Sequence, residues 1–352
     1  MTTIYDIARQ AGVSATTVSK VLNGYPDVSV KTREKVQQIT AALGYQPSAA
    51  ARGLVTRRSM SIGVFFQDRS SFGFRHPFLH DIIASFQDIV GESGYDLLFF
   101  SNVHSANTPH GFEARARHRD VDGLFLLGVP RTDPGLSSLS RSRIPIVSVD
   151  LDLIGSRASY LASDNIGGAR NAVHFLYENG HRDIGFVGDR YGTKPGHDRT
   201  LGYHQALQEL SLPYRAEWIQ EGDFTEASGY AAMMKILALR ERPTAIFFVS
   251  DMMAIGAMRA IREAGLTPGE DISLIGFDDV HLAQYVTPAL TTIRQNKDEM
   301  GRLAAIELLE LMRNPNKPPS VITVETELVV RDSVKNLLNV DQHRSGKVAG
   351  IS

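Results

Sequence analysis

The stretch that decides the fold is TIYDIARQAGVSATTVSKVLN, residues 3–23. Thr3 followed by Asp6 is typical of a helix N-terminus, and the apolar spacing after it predicts a first helix of about two turns. Gly12 ends that helix, and Ser14 is placed to cap a second one. Two short helices around so tight a turn predict a helix-turn-helix, whose second helix enters the major groove of DNA.

The second helix divides into an inner and an outer face. Val18, Val21 and Leu22 are spaced to pack on the first helix. The remaining side chains are short enough to allow close approach to base edges, and are expected on the outer surface: Ala15, Thr16, Thr17, Ser19 and Lys20. An ordinary helical hairpin packed on a larger domain is the alternative for this segment alone.

A third helix follows in VKTREKVQQITAALGY. Ser29 opens it, Val36, Ile39 and Leu43 form one stripe, and Gly44 stands where the helix should end. The three predicted helices form a unit of about 45 residues.

The charge of the chain is segregated. Residues 1–58 contain eight basic and three acidic side chains, a net charge of +5, whereas the whole chain has a formal net charge of −2. A basic N-terminal segment attached to an acidic remainder is typical of proteins that neutralise DNA phosphates. This charge distribution favours a DNA-binding unit over an ordinary helical hairpin.

Residues 47–58, PSAAARGLVTRR, predict a marginal helix that begins at Pro47 and is weakened by Gly53. So short a helix is unstable alone, so we expect it to order only against DNA and its counterpart in a second subunit. A plain basic linker is the alternative.

From Ser61 the pattern changes to short apolar runs, among them SIGVFF, VDGLFLLG, IPIVSVD, RDIGFVGD, TAIFFVSD and DISLIGFDD, separated by amphipathic helical stretches. These runs predict buried parallel strands in an α/β fold with two similar lobes. The expected boundaries are 1–46 for the helix-turn-helix domain, 47–58 for the hinge, 59–161 with about 292–322 for the first lobe, 162–291 with about 323–337 for the second, and 338–352 for a flexible tail.

Many of these strands end in a polar residue. Ligands of open α/β sheets bind at the carboxyl ends of strands, so the strand ends predict a cleft between the lobes. The residues at those ends are Asp68, Ser101, Asp150, Asp189, Ser250 and Asp278.

TIYDIARQAGVSATTVSKVLNG, VSVKTREKV, LGYQPS and ARGL resemble, in order and spacing, the N-terminal motifs of the LacI family. The resemblance implies that Ala15, Thr16 and Lys20 read bases, although Lys20 stands where many relatives have arginine, and that Leu54 wedges into the minor groove. The residues expected at the DNA are Thr3, Tyr5, Ser14, Ala15, Thr16, Thr17, Ser19, Lys20, Asn23, Ser29, Thr32, Ala51 and Leu54.

The remainder, to about residue 335, resembles the family's effector domain, which is similar to periplasmic sugar-binding proteins; SDNIGGA, RTLGY, GFDD and LTTIRQ carry this resemblance. Carboxylates and arginine can bind vicinal hydroxyls, while an aromatic face packs on a pyranose ring. The effector residues so implied are Asp68, Phe72, Phe74, Phe78, Asp150, Arg199, Phe224, Ser250, Asp251 and Asp278. A helix N-cap is the alternative role for Asp251, and a core position is the alternative for Phe224.

Catalytic motifs are missing from the sequence. No nucleophile elbow, phosphate-binding loop or dinucleotide fingerprint follows any strand, so we expect no enzyme and no cofactor. The chain has no cysteine, and His76 with His80 lacks the acidic residue of a zinc-protease motif, so no metal site is expected. Neither a signal peptide nor a long apolar run is found, which predicts a cytoplasmic protein without a membrane partner.

These observations predict a transcriptional repressor of carbohydrate-utilisation genes. A mono- or disaccharide bound between the lobes is expected to release it from a palindromic operator, with recruitment to the operator as the alternative. Two recognition helices on a two-fold site imply a homodimer, with its interface on the first lobe and on FLHDIIASFQDIV, residues 78–90. Two alternatives stay open: the same repressor with a nucleobase, phosphosugar or protein corepressor as effector, and a stand-alone sugar-binding protein.

Overall fold

The computed structural model describes residues 2–45, 58–66, 77–100 and 111–338. The chain divides into two compact units, Met1–Met60 and Ser61–Ser352. The predicted tail lies outside the described residues from position 339 onward.

The first unit contains three helices, α1 (Ile4–Ala11), α2 (Ala15–Leu22) and α3 (Val30–Ala42). The backbone N–H and the hydroxyl of Thr3 both donate to Asp6 Oδ2, over 2.9 and 2.8 Å. Gly12 then ends α1 in the left-handed region at φ 67°, where a side chain would be strained. Local chemistry alone therefore sets both ends of α1.

Side-chain hydroxyls begin the other two helices of this unit. Ser14 accepts a hydrogen bond from Thr17 N, and Ser29 accepts one from Thr32 N. The helices enclose a small apolar core formed by Ile7, Ala8, Ala11, Val18, Val21 and Val36. Ala15, expected on the outer surface, packs partly against this core because the first turn of α2 lies close to it.

The second unit contains two six-stranded sheets with helices between the strands. The first sheet contains β1 (Ser61–Phe66), β2 (Asp96–Phe100), β3 (Gly123–Leu127), β4 (Ile146–Val149), β5 (Ala158–Ser163) and β11 (Val321–Val324). Its order is β11-β5-β4-β3-β1-β2, and every pair is parallel.

The second sheet contains β6 (Ile184–Asp189), β7 (Ile219–Gly222), β8 (Ala245–Phe248), β9 (Ser273–Asp278), β10 (Thr291–Gln295) and β12 (Thr326–Val329). Its order is β12-β10-β9-β8-β6-β7, and only β12 runs antiparallel to its neighbour. The fold is thus a helix-turn-helix domain followed by a two-lobed α/β domain, as the strand pattern predicts.

Helices connect the strands in both lobes. In the first lobe they are α4 (Pro77–Glu92), α5 (Phe112–His118) and α6 (Leu136–Leu139). The helices that come after β5 along the chain are α7 (Asn165–Glu178), α8 (Lys194–Glu209), α9 (Glu226–Leu237), α10 (Asp251–Glu263) and α11 (Lys297–Arg313). In the described part of the chain, no helix is both long and apolar enough to cross a bilayer.

The core of each lobe lies between its sheet and its helices. In the first lobe, Phe86 of α4 stacks on Phe125 of β3 with ring centroids 3.9 Å apart. In the second lobe, Phe186 of β6 stacks on Tyr203 of α8 at 4.6 Å. Both sheets are therefore covered by helices, which explains the nearly continuous apolar runs in the sequence.

The chain passes between the sheets three times: after β5, after β10, and between β11 and β12. Each passage lies a few residues later than the boundaries expected at 161, 291 and 322, because β5, β10 and β11 continue to Ser163, Gln295 and Val324. These three strands therefore continue to the edge of their sheet at which the lobes meet, and the chain passes to the other lobe only from there.

Candidate functional site

A cavity of about 130 Å³ lies between the two lobes of the second unit. Its walls come from segments that follow strands of both sheets, together with the first turns of α4 and α8. The lining residues include Phe78, Leu79, Val129, Pro130, Arg131, Thr132, Asp150, Tyr191, Thr193, Lys194, Arg199, Asp223, Phe224 and Asp278. The carboxyl ends of the strands thus form the cleft, as parallel sheets favour.

Arg199 is the central cation of the cleft, and only 2% of its surface is exposed. Its Nε donates to Asn165 Oδ1 over 2.8 Å, and its Nη1 donates to the Val249 carbonyl and lies 3.3 Å from Asp278 Oδ1. The guanidinium also lies over the Phe277 ring, 3.7 Å from its centroid. Contacts on several sides therefore fix this side chain in one orientation.

Asp278 ends β9 beside Arg199. Its Oδ1 accepts a hydrogen bond of 2.6 Å from Gln295 Nε2, while Gln295 Oε1 has no partner among the described residues. The sequence analysis did not assign Gln295 to the site, although it ends the quoted LTTIRQ motif. Gln295 is buried behind Asp278 and does not itself line the cleft, so its amide holds the Asp278 carboxylate in place.

Asp150 supplies a carboxylate from the first lobe. Its Oδ1 is enclosed and has no hydrogen-bond partner among the described residues. Burial raises the pKa of this carboxyl to about 6, opposed by the nearby positive charge of Arg199. An enclosed acceptor without a donor is the type of group that a bound ligand satisfies.

Three residues that line the cleft adopt positive φ values, which are rare for residues other than glycine: Asp150 at 55°, Phe224 at 66° and Asp278 at 113°. Each follows or ends a strand, so the backbone turns sharply at the point where the side chain enters the cleft. Such conformations cluster at ligand sites because the surrounding structure must hold them.

Ser250 and Asp251 were expected in the effector site, but they do not line the cleft. Ser250 caps α10 by accepting a hydrogen bond from Met253 N. Asp251 is fully buried, where its two carboxylate oxygens accept hydrogen bonds from Val280 N and Thr292 Oγ1. Ser250 is thus the N-cap of α10, whereas Asp251 is the first residue of that helix and joins it to Val280, which follows β9, and to β10. The N-cap alternative for Asp251 is therefore also wrong.

Other expected site residues lie outside the described part of the chain. These are Asp68, Phe72 and Phe74 of the effector site, and Ala51 and Leu54 of the predicted hinge.

The cleft also contains residues that the sequence analysis missed, notably Val129, Pro130 and Tyr191. They follow β3 and β6, so the rule that ligands bind at strand ends could have found them. Asp189, at the end of β6, is not among the residues that line the cleft. Its oxygens instead accept hydrogen bonds from Tyr191 N and Thr193 N. It folds the loop that carries Tyr191.

Lys297 bridges the lobes at the start of α11. Its ammonium donates to the Asp279 carbonyl over 2.8 Å and to the Asp278 carbonyl over 3.3 Å, and lies 3.7 Å from Asp81 Oδ2 of α4. Asp279 itself binds Arg294 and Arg331, and the hydrogen bond from Arg294 is the leading cause that lowers its pKa. Lys297 therefore links the end of β9 to the first lobe.

In the first unit, the expected DNA-contacting side chains fall into two groups. Several also maintain the motif: Thr3, Ser14 and Ser29 stand at helix starts, Thr17 and Thr32 bond to the caps, and Asn23 Nδ2 donates to the Ser19 carbonyl. Tyr5 and Thr16 are exposed, and Lys20 Nζ lies 2.5 Å from Asp27 Oδ2.

No group of three or more His, Asp or Glu side chains suited to a metal ion is found among the described residues.

The comparisons with known proteins agree with this architecture. Residues 3–48 match the bacterial regulatory proteins of the lacI family, and residues 173–334 match a periplasmic binding protein-like domain. An HTH-type transcriptional repressor PurR from Photorhabdus laumondii is 36% identical over 346 residues, which are 98% of this chain and all of that protein. The chain belongs to the LacI family. A PurR from Yersinia pestis is also 36% identical, over 95% of this chain and 97% of that protein.

Solved structures of LacI-family repressors share the fold. A complex of the regulator CelR with cellobiose is 31% identical and has a TM-score of 0.71, covering 95% of this chain and all of that one. A lac repressor dimer bound to operator and an anti-inducer is 29% identical with a TM-score of 0.81, covering 95% and 99%. This LacI-family protein is therefore a DNA-binding transcriptional repressor and not an enzyme. Repressors of the family bind operator DNA, dimerise and bind small-molecule effectors.

Proposed function

We propose that a small neutral carbohydrate bound in the interlobe cleft controls this repressor, and that its targets are carbohydrate-utilisation genes. The observation that carries the proposal is the placement of Arg199 and Asp278 of the second lobe opposite the enclosed Asp150 carboxylate of the first. A sugar hydroxyl both donates and accepts, so neighbouring hydroxyls of one ring can satisfy the arginine and the two carboxylates together.

The walls of the cleft suit the apolar face of a sugar ring. Phe78 enters from α4, Phe224 follows β7, and Tyr191 follows β6. Aromatic faces combine with polar groups at the ring edge in sites of this kind. The cavity is close in size to an engineered one of about 150 Å³ that holds benzene, which favours a single ring in the enclosed part.

The balance of charge argues against a phosphorylated effector. Three cationic side chains, Arg131, Lys194 and Arg199, line the cleft with three acidic ones, Asp150, Asp223 and Asp278. The cations are also paired, since Lys194 binds Asp198 over 2.5 Å and Arg131 binds Asp152 over 2.8 Å. A neutral ligand meets no net charge there, whereas a phosphate would displace existing ion pairs.

A nucleobase is the second candidate effector, because the relatives with the highest identities reported above are named PurR. A flat base between Phe224 and Phe78 could donate N–H groups to Asp150 and Asp278. The CelR complex with cellobiose, at 31% identity, supports the carbohydrate instead.

A thermal-shift screen separates the two candidates. Monosaccharides, disaccharides, purine bases and sugar phosphates would be added to the full-length repressor, and each hit would be tested for its effect on operator affinity. Stabilisation by a neutral sugar that also weakens operator binding supports the proposal. Stabilisation by purines alone, or by a sugar that leaves operator affinity unchanged, contradicts it.

The coupling between sites is reciprocal, so operator-bound repressor should bind the sugar less tightly. We propose that this coupling acts through the segment 47–58 paired across a homodimer, whose interface includes α4. Leu54→Ala should then weaken operator binding and leave sugar affinity nearly unchanged. Equal amide-exchange protection of this segment with and without operator would contradict its folding on DNA.

A further inference from the structure

Lys20 in the last turn of α2 forms an ion pair with Asp27, in the loop between α2 and α3. The Nζ to Oδ2 distance is 2.5 Å, and the two side chains are 43% and 53% exposed. The pair therefore lies on the surface of the motif that binds DNA, and not in its core.

Hydrogen bonds within the loop place Asp27 next to the ammonium group of Lys20. Tyr25 N donates to the Lys20 carbonyl over 3.0 Å, and Gly24, at φ 73°, donates to the Val21 carbonyl. Arg33 of α3 donates to the Tyr25 carbonyl over 2.6 Å. These bonds hold the loop against the end of α2, so the position of Asp27 does not depend on the ion pair alone.

The charge of Asp27 is maintained at neutral pH. The hydrogen bond from Lys20 is the leading cause that lowers the pKa of this carboxyl. Asp27 is thus a fixed negative charge on a surface whose partner is a polyanion, and it neutralises the cation expected to contact bases.

We propose that Asp27 is a specificity-determining residue of the operator-binding function, acting by restraining Lys20. On nonspecific DNA, Lys20 would leave the Asp27 carboxylate for a phosphate. This only exchanges one anionic partner for another, so it contributes little binding free energy. A base pair in the operator that presents guanine acceptors in the correct geometry gives Lys20 contacts that Asp27 cannot provide. Asp27 thereby lowers nonspecific affinity more than operator affinity. This inference rests on the proposed contact between Lys20 and DNA.

The test compares Asp27→Asn with Glu34→Gln in the full-length repressor. Glu34 is an exposed acid of α3, so its substitution changes the net charge of the same domain by the same amount. Affinities would be measured for an operator selected from a palindromic library and for a scrambled duplex, over a range of salt concentrations.

We expect Asp27→Asn to reduce the ratio of operator to nonspecific affinity by about two- to fivefold, a modest effect because exposed ion pairs are weak. The salt dependence of nonspecific binding should steepen by about one released counterion. Glu34→Gln should raise both affinities in the same proportion and leave the ratio unchanged. Asp27→Glu, which can restore the pair, should keep the wild-type ratio.

The double variant Lys20→Ala with Asp27→Asn distinguishes restraint from repulsion. If Asp27 acts through Lys20, Asp27→Asn no longer changes the ratio once Lys20 is removed. A persisting change would mean that Asp27 repels phosphates directly, which overturns the proposal, as would equal ratios for Asp27→Asn and Glu34→Gln. If Lys20→Ala alone leaves operator affinity unchanged, the contact itself is absent and the proposal falls, while the sugar-responsive repressor stands.

Discussion

Arg199 and Asp278 form an ion pair at 3.3 Å in which both side chains are almost fully buried. Removing one partner of a buried ion pair is strongly destabilising, because the remaining charge stays desolvated without the attraction that compensated for it. The same two groups line the interlobe cleft, so under the proposed function the stability of the second lobe and the recognition of the ligand would both depend on one pair of side chains.

Arg199→Met should lower the free energy of unfolding by about 3–5 kcal/mol, because Asp278 would lose its buried partner. It should also abolish the thermal shift produced by the effector and retain operator binding below the new melting temperature. Arg170→Met is the control, since Arg170 binds Glu209 at the surface of the same lobe, where both side chains are 41% exposed, and such pairs contribute about 0–1 kcal/mol. Urea unfolding with both variants measures the difference, and equal losses would contradict the assignment.

Asp150→Asn should stabilise the unliganded repressor at pH 7. Burial raises the pKa of this carboxyl from 3.8 to about 6, so the folded state binds the proton more tightly than the unfolded state. Ionisation of this carboxyl therefore lowers the free energy of unfolding as the pH rises from about 4 to 6, and the full reduction remains above pH 6. This reduction is about 3 kcal/mol at most at pH 7, and asparagine removes it.

The gain from Asp150→Asn should disappear toward pH 4, where the native carboxyl is protonated. Thermal melts of both proteins from pH 4 to pH 7.5 measure this trend. A gain of the same size at every pH would show that titration of Asp150 is not its cause. The substitution should also weaken effector binding, because asparagine has one carboxylate acceptor fewer.

Asp251→Ala tests the structural role found for this residue. The substitution leaves the Val280 N–H and the Thr292 hydroxyl buried without an acceptor, so unfolding should become easier by about 2–5 kcal/mol. Asp251→Asn retains an acceptor for Val280 and should lose less than half as much. Calorimetric titration of folded protein should show wild-type effector affinity for both variants; a large loss of affinity with unchanged stability would return Asp251 to the binding site.

Gly301→Ala should destabilise the first lobe. A Cβ at position 301 would lie 2.4 Å from the Ile82 carbonyl oxygen of α4, so α4 and α11 would have to separate. Overpacking of this kind costs about 1–3 kcal/mol. Gly91→Ala, also on α4, meets no atom within 4 Å and should be neutral or stabilising by up to about 1 kcal/mol. Melting temperatures of the two variants should move apart, and parallel changes would contradict the tight helix contact.

The sequence predicted best what local chemistry determines. Thr3, Gly12 and Ser14 set the first two helices through short-range bonds, and the apolar runs revealed both sheets. Asp251 and Asp278 show the limit. Both close an apolar run in the sequence, but Asp251 begins α10 and is turned into the core, whereas Asp278 ends β9 and lines the cleft. That direction depends on partners such as Thr292 and Gln295, which lie far along the chain and leave no local pattern.

The three passages between the sheets lie side by side. Asp164 N donates to the Val324 carbonyl over 2.8 Å, which joins the first passage to the third. Three parallel covalent tethers at one edge prevent the lobes from sliding or moving apart, and leave rotation about an axis through the tethers as the easy motion. Such a rotation changes the width of the cleft between the lobes, so we expect the ligand to be admitted and retained by an angular movement.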